Sequence, residues 1–364
     1  MSSALSSVLS TYGWDDSWAH LAHPHLEAGG VPGRLPGRVA RVDRGRVDVL
    51  TEQGRVRAVP DRSVAVGDWV VLDPDARVVA LLPRRTALTR AVASGRSEGQ
   101  VLAANVDTVL VAVALEADPR PGRLERLLAL AWESGAVPVV VLTKIDRADG
   151  DVLLAALADV AAAAPGVDVL PVSAVTGDGL AEVAATARGT TVLVGPSGAG
   201  KSTLANALLG AEVMAVGEVR ASDGKGRHTT VHRELVPFGR TQRSGAATPE
   251  ADHPSGVLID TPGLRAVGLH GAAEGIDLAF ADVVALGEGC RFADCAHDRE
   301  PGCAVREAVA LGQLAERRWE AYRKLLREDE WSAARTDARL AAERRGRSRT
   351  ITKAQRAAYR ERGH

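Results

Sequence analysis

The stretch Thr191-Val192-Leu193-Val194-Gly195-Pro196-Ser197-Gly198-Ala199-Gly200-Lys201-Ser202-Thr203 decides how this chain is read. Four strand-forming residues run into a glycine-rich turn, and a helical pattern, Lys201–Leu209, leaves it. Gly195 to Ser202 match the phosphate-binding loop position by position, in the strand–loop–helix setting that motif requires. The residue types follow from the chemistry. Glycines let successive backbone N–H groups turn inward around phosphate oxygens, and the start of the helix adds its positive dipole end. Lys201 is expected to bridge the β- and γ-phosphates and Ser202 to ligate Mg²⁺, with Thr203 completing the nucleotide-binding set.

Outward from this loop, strands alternate with helices from about 104 to 265. Apolar runs at Val106–Leu115, Val137–Leu142, Val167–Val172 and Val257–Ile259 alternate with helical stretches at Arg123–Ser134, Val152–Ala164 and Leu180–Ala187. This is a doubly wound α/β pattern, and ligands in such sheets sit at the carboxyl ends of the strands. Two of those strand ends carry base-recognition signals. Thr143-Lys144-Ile145-Asp146 is close to Asn-Lys-x-Asp, and Ser173-Ala174 follows the next strand. A carboxylate at Asp146 can accept from both N1–H and the 2-amino group of guanine. Adenine offers neither, so a carboxylate held against it would lose hydrogen bonds uncompensated. The stem of Lys144 suits the base face, and Thr143 offers a hydroxyl to tether the turn where Asn is usual.

Downstream, Leu258-Ile259-Asp260-Thr261-Pro262-Gly263 ends a strand with Asp-x-x-Gly. Asp260 is expected to hold Mg²⁺ and the Gly263 N–H to sense the γ-phosphate. The segment Gly224–Val231 suits a switch that orders around γ-phosphate and metal, with Thr229 or Thr230 offering a hydroxyl; Thr230 is taken as the catalytic and metal-binding candidate. Leu264 stands where Ras-type enzymes carry a water-orienting Gln. Slow isolated hydrolysis, stimulated by a partner, is therefore expected. The order is unusual: base motifs precede the phosphate loop. A circular permutation keeps all loops on one sheet edge while moving the chain ends.

The flanks add two further units. Short β-rich runs between Gly37 and Leu82, separated by turn residues, suggest a small barrel; spacing alone does not separate an OB-fold from an SH3-like one. Beyond the sheet, Cys290-x4-Cys295-x-His297-x5-Cys303 holds every cysteine of the chain. Three thiolates and one imidazole make a closed tetrahedral set, as expected of one structural zinc. Residues 304–328 carry helical apolar spacing.

Composition bounds the rest. The 364 residues carry 45 basic and 46 acidic side chains, 46% hydrophobic and 3% aromatic residues, which is globular. No apolar run approaches the roughly 20 residues that span a bilayer. No secretory signal is evident, and the clustered, odd cysteines argue against a disulfide framework. A cytoplasmic protein without a membrane partner is expected. Charge is patterned: ten Arg or Lys face three Asp or Glu between 331 and 364, and eight Arg face four acids between 34 and 62. Both point to a polyanion. Residues 1–34 read as a loosely structured arm, in which His20, His23 and His25 are either solvated or a metal site.

Taken together, a small barrel, Thr-Lys-Ile-Asp, Ser-Ala, phosphate loop and Asp-Thr-Pro-Gly in permuted order, then the Cys/His cluster, resemble the RsgA (YjeQ) family. So do Leu102-Ala103-Ala104-Asn105-Val106-Asp107 and Cys290-Arg291-Phe292-Ala293-Asp294-Cys295-Ala296-His297. The resemblance spans about residues 36–330. It implies an α/β chain with an N-terminal OB-fold β-barrel, a circularly permuted P-loop GTPase domain and a C-terminal helical zinc-binding domain. The expected limits are an arm at 1–34, barrel at 35–84, GTPase domain at 85–270, zinc domain at 271–330 and basic tail at 331–364. It also implies GTP hydrolysis stimulated by the small ribosomal subunit, contact with its rRNA, and a late maturation role, the chain acting as a monomer. Thr143, the polar insert around Arg240–Pro254 and the long N-terminal arm depart from that pattern. The rival reading is an RNA-binding assembly module that uses GTP only as a conformational ligand.

Overall fold

The structure is a computed structural model that describes residues 7–90, 100–115, 120–210, 234–238, 256–259 and 271–336. Five strands, β1 (Leu35–Asp43), β2 (Arg46–Thr51), β3 (Gly54–Pro60), β4 (Trp69–Leu72) and β5 (Arg77–Leu81), close into a barrel in the order β1-β2-β3-β5-β4. Only β3 and β5 pair in parallel. This closed five-strand barrel is the OB-type arrangement, which resolves what strand spacing left open. Its interior is Val39, Val47, Val49, Ala58, Val70, Leu72 and Val78. Gly37 lets β1 lie close against β2: a Cβ there would sit 2.5 Å from a methyl of Val49.

The expected loose arm is instead folded from residue 7 onward. Helices α1 (Ser7–Ser10) and α2 (Asp16–Glu27) lie against the barrel, with the Asp15 carboxylate accepting from the Trp18 N–H to cap α2. Trp14 and Trp18 bury against Trp69, ring centroids 4.8 and 5.9 Å away. Two tryptophans of the arm and a distant one of the barrel supply the apolar area that orders the arm. His20, His23 and His25 stay exposed and form no metal group among the described residues.

An unforeseen hairpin, β6 (Ala87–Arg90) and β7 (Gln100–Ala104), leads into the main sheet. There follow β8 (Thr108–Ala114), α3 (Pro121–Glu133), β9 (Val137–Thr143), α4 (Gly150–Ala163), β10 (Val169–Val172), α5 (Leu180–Thr186), β11 (Gly189–Val194), α6 (Lys201–Leu209), β12 (Leu235–Phe238) and β13 (Gly256–Ile259). The strand order is β10-β9-β8-β11-β13-β12, all parallel except β12. All seven residues of β8 are buried, as a central strand covered on both faces requires. The edge strand β12 was not legible as a strand, because Pro237 interrupts so short a run.

Among the described residues after β13 there are four helices: α7 (Ala273–Ala279), α8 (Ala281–Gly287), α9 (Ala304–Ala310) and α10 (Glu316–Thr336). The pattern at 304–328 divides into α9 and α10 where Gly312 takes φ +72°, a left-handed stop. α10 runs without a break past residue 330 into the expected tail; residues 337–364 lie outside the described ones. α7 packs along α3. Arg318 of α10 pairs with Asp282 of α8 (2.6 Å) and the fully buried Glu125 of α3 (3.2 Å). Burial raises the Glu125 pKa, opposed by Arg317 and Arg318. No described helix is long and apolar enough to cross a membrane.

The barrel and the sheet meet at Arg38, which is 1% exposed. Its guanidinium donates to the carbonyls of Tyr12, Gly67 and Asn105 and to Thr190 Oγ1, the last at 2.7 Å. It also lies over Trp69. One side chain thus ties N-terminal arm, barrel and sheet together. Burial pushes its pKa down to about 10, against the pull of Asp107 and Asp68. Replacing Arg38 with Ala strands these acceptors, and unsatisfied buried groups cost about 1–3 kcal/mol each. Arg38→Ala is expected to lower unfolding free energy by about 3 kcal/mol, measured by urea denaturation with tryptophan fluorescence, where Trp69 reports directly on the lost contact.

Candidate nucleotide site and metal centre

Parallel pairing brings the motif-bearing strand ends to one edge. Val172 pairs with Thr143, Thr143 with Ala114, and Val111 with Val194. The loops that leave β9, β10 and β11 therefore project the same way. Two of them are bonded: Thr143 Oγ1 donates to the Ala199 carbonyl at 2.9 Å and lies 3.3 Å from the Val113 carbonyl. The base turn is thereby fastened to the phosphate loop through a threonine hydroxyl.

Within the base turn, Lys144 adopts φ +64° and starts a short 3₁₀ turn that presents Asp146. Ser173, fully buried, donates to Asp146 Oδ1 at 2.6 Å and accepts the N–H groups of Val175 (3.2 Å) and Thr176 (3.1 Å). One hydroxyl thus orients the carboxylate and shapes the Ser173-Ala174 turn. Asp146 is exposed at the edge, and the stem of Lys144 is half-buried beside it. That carboxylate suits a ligand edge offering two N–H donors.

In the phosphate loop, Gly195 has φ +141°, and a Cβ there would stand 2.5 Å from the Ala112 carbonyl. Pro196, Ser197 and Gly198 carry the loop outward, Ala199 turns back into the core, and Gly200 at φ +76° caps α6. Lys201 Nζ donates to the carbonyls of Gly195 (2.9 Å) and Pro196 (2.6 Å), which holds the ammonium under the loop. Ser202 and Thr203 sit half-buried in the first turn of α6, and Leu204, Ala205 and Leu208 anchor that helix. Thr230, Asp260 and Gly263 lie outside the described residues, as do Thr229 and the insert at 240–254. Asp260 follows Ile259, which pairs with Val192 beside the phosphate loop.

The second site lies between α8 and α9. The ligand atoms of Cys290, Cys295, His297 and Cys303 all fall within 4.8 Å of one another. His297 Nδ1 stands 3.4 Å from the sulfurs of both Cys290 and Cys303, and those sulfurs are 4.0 Å apart. A tetrahedral centre with bonds of about 2.0–2.3 Å places its donors at about such separations. Burial pushes the Cys295 thiol up to about 11, neighbouring sulfurs adding to the effect, and burial lowers the His297 pKa. A cation that binds thiolates and neutral imidazole reverses the first cost and exploits the second. The donor set therefore fits a metal ion. His297 reaches inward from a residue at φ +57°, its ring edge-on to Trp319.

Motif reading did not find Arg38, and Asn105 entered it only within the run Leu102–Asp107, with no role of its own. Asn105 takes φ +54°, and its side chain donates to Gly67 O while accepting from Arg85 N. The basic surplus at 34–62 also changes meaning. Arg38 is buried, and Arg41, Arg55, Arg57 and Arg62 are ion-paired, whereas Arg44 and Arg46 are exposed.

A phosphate loop, a Thr-Lys-x-Asp turn and a Ser-Ala turn on one edge of a doubly wound sheet, with both base turns earlier in the chain, define a circularly permuted P-loop GTPase. The RsgA GTPase family model matches residues 81–270. A small ribosomal subunit biogenesis GTPase RsgA from Streptomyces coelicolor is 54% identical over 350 residues, covering 93% of this chain and 91% of that protein. One from Xanthomonas euvesicatoria is 42% identical over 365 residues, covering 93% of each. The crystal structure of YjeQ from Thermotoga maritima aligns with a TM-score of 0.57 at 27% identity, over 81% of this chain and 98% of that one. YloQ, a circularly permuted GTPase, shares the fold with a TM-score of 0.56 at 20% identity, over 83% and 97%. The chain belongs to the RsgA GTPase family.

Removing the Thr143 hydroxyl should leave the Ala199 carbonyl unpaired and free the base turn from the phosphate loop. Thr143→Val is expected to weaken GDP and GTP binding alike, by about five- to tenfold, since a net hydrogen bond contributes about 1 kcal/mol. Titration with fluorescent guanine nucleotides checks this; an unchanged affinity would refute the tether.

Proposed function

We propose that this chain is a GTPase of late small ribosomal subunit maturation, which binds rRNA and hydrolyses GTP to GDP and phosphate to control its own release. The observation that carries the reading is the Thr143–Ala199 hydrogen bond, which holds the base turn against the phosphate loop. The 54% identity to a small ribosomal subunit biogenesis GTPase supports the biological setting. Small subunits mature in the bacterial cytoplasm, so that is the working location.

Each residue has a part in this reading. Asp146, oriented by Ser173, accepts from N1–H and the 2-amino group of guanine, Lys144 covers the base, and Ala174 offers its backbone N–H. The loop Gly195–Gly200 surrounds the phosphates with N–H groups, and Lys201 turns from its carbonyl partners to the β- and γ-oxygens. Ser202, Thr230 and Asp260 are assigned to magnesium, Thr203 to the nucleotide, and the Gly263 N–H to sensing the γ-phosphate. Magnesium, when bound with GTP, neutralises charge that develops on the phosphate oxygens. With Leu264 in place of a water-orienting Gln, the pocket lacks one catalytic part, and the ribosomal partner completes it. Leu264 is also the one observation that favours the rival reading, GTP as a conformational ligand only.

Phosphate release with and without small subunits decides between the two: stimulation supports the enzyme, and its absence leaves the binding module. Asp146→Asn is expected to abolish preference for guanine over adenine nucleotides, because the amide presents a donor to the guanine N–H groups; competition binding reads this out. The metal is assigned as one structural zinc, since four protein donors leave no open position. Elemental analysis is expected to find one zinc per chain, and Cys303→Ser to lose it along with thermal stability of α9 and α10. Nucleotide affinity should stay within about twofold, because the phosphate loop lies on another unit.

A further inference from the structure

The edges of β1 and β12 meet where the barrel touches the main sheet. β1 pairs with β4 over Leu35–Arg38, and beyond that point Val39 exchanges backbone hydrogen bonds with Gly67 and Asp68 of the loop before β4. A bulge between Val39 and Arg41 turns this half of the strand. β12 is the outermost strand of the main sheet. A single backbone bridge between Arg41 and Glu234, the residue before β12, links the two edges.

Side chains reinforce the join. On the barrel surface the charges alternate in a ladder. Arg41 meets Asp43 (3.2 Å), Asp43 meets Arg57 (2.6 Å), Arg57 meets Asp48 (2.7 Å) and Asp48 meets Arg55 (3.8 Å). The ladder ends on the other domain, where Arg55 Nη2 donates to Glu234 Oε1 at 2.8 Å. An exposed pair alone contributes little, but a network holding one geometry contributes more. A barrel loop reaches the neighbouring strand as well: a Cβ at Gly67 would come within 3.1 Å of Ile259 Cδ1.

What these contacts hold is the strand pair β12–β13. Leu235 pairs with Ile259, so Glu234 stands at the end of β13 from which Asp260 departs. We propose that Glu234 is a positioning residue for GTP hydrolysis: through Arg41 and Arg55 the barrel clamps the strand end that delivers Asp260, and so forms part of the hydrolytic machinery. The inference rests on the GTPase reading above. It places the effect on turnover, because the base turn and phosphate loop are secured separately by Thr143.

The test uses the full chain under saturating Mg-GTP, with small subunits present. Glu234→Ala and Arg55→Ala are each expected to lower kcat by about three- to fivefold, the scale of one ion pair, with KM within about twofold. The double variant should be no slower than the singles, and the exchange Glu234→Arg with Arg55→Glu should restore at least half of the loss. Unchanged kcat in both singles overturns the proposal, and so do fully additive losses. If Glu234→Ala folds poorly by thermal melting, Glu234→Gln carries the same comparison. Failure of the wild-type chain to turn over GTP would instead strike the GTPase reading, and so stays distinguishable.

Discussion

Everything functional in this fold depends on parallel strand register. Five adjacent strands of the main sheet run the same way, so each delivers its following loop to one edge. Chain order then ceases to matter for the site. β9 and β10 come before β11 in sequence, yet Thr143 still meets Ala199 within hydrogen-bond distance. A one-residue slip between β8 and β9 would turn Thr143 to the other face of the sheet and break that bond. The permuted order is thus a property of connectivity, and the pocket is a property of the sheet.

The flanking units are joined to this sheet by buried charge and not by apolar contact alone. Arg38 collects three carbonyls and a hydroxyl at the barrel junction, and Arg318 collects Glu125, Asp282 and two carbonyls at the helical junction. Each guanidinium also lies over an aromatic ring, Trp69 and Phe280 respectively. A planar group with five donors suits such corners, where backbone from several elements ends without partners. These junctions also account for arginine that composition assigns to a polyanion. Several of the barrel's basic residues serve internal contacts, and Arg44 and Arg46 at the β1–β2 turn remain outward.

Some of this was legible in the residues. The phosphate loop, the Thr-Lys-Ile-Asp and Ser-Ala turns and the Cys/His cluster are local patterns, because each packs its chemistry into a few consecutive positions. Strand and helix placement in the main sheet followed from apolar runs of the right length. The arm was misread because its order comes from Trp14 and Trp18 meeting Trp69, a contact with no local signature. β12 was missed because four residues with a proline carry too little periodicity.

By itself, the sequence supplied the candidate chemistry: glycines and a lysine suited to phosphate, a carboxylate suited to paired N–H donors, three thiols and an imidazole suited to a metal. Side-chain type and short spacing suffice for that, since the groups act within one turn of chain. Tertiary structure alone decided which of those turns share a pocket, which arginines face solvent, and that the barrel reaches the strand before Asp260. Those outcomes depend on strand register and on burial between residues far apart in the chain, and neither leaves a local pattern to read.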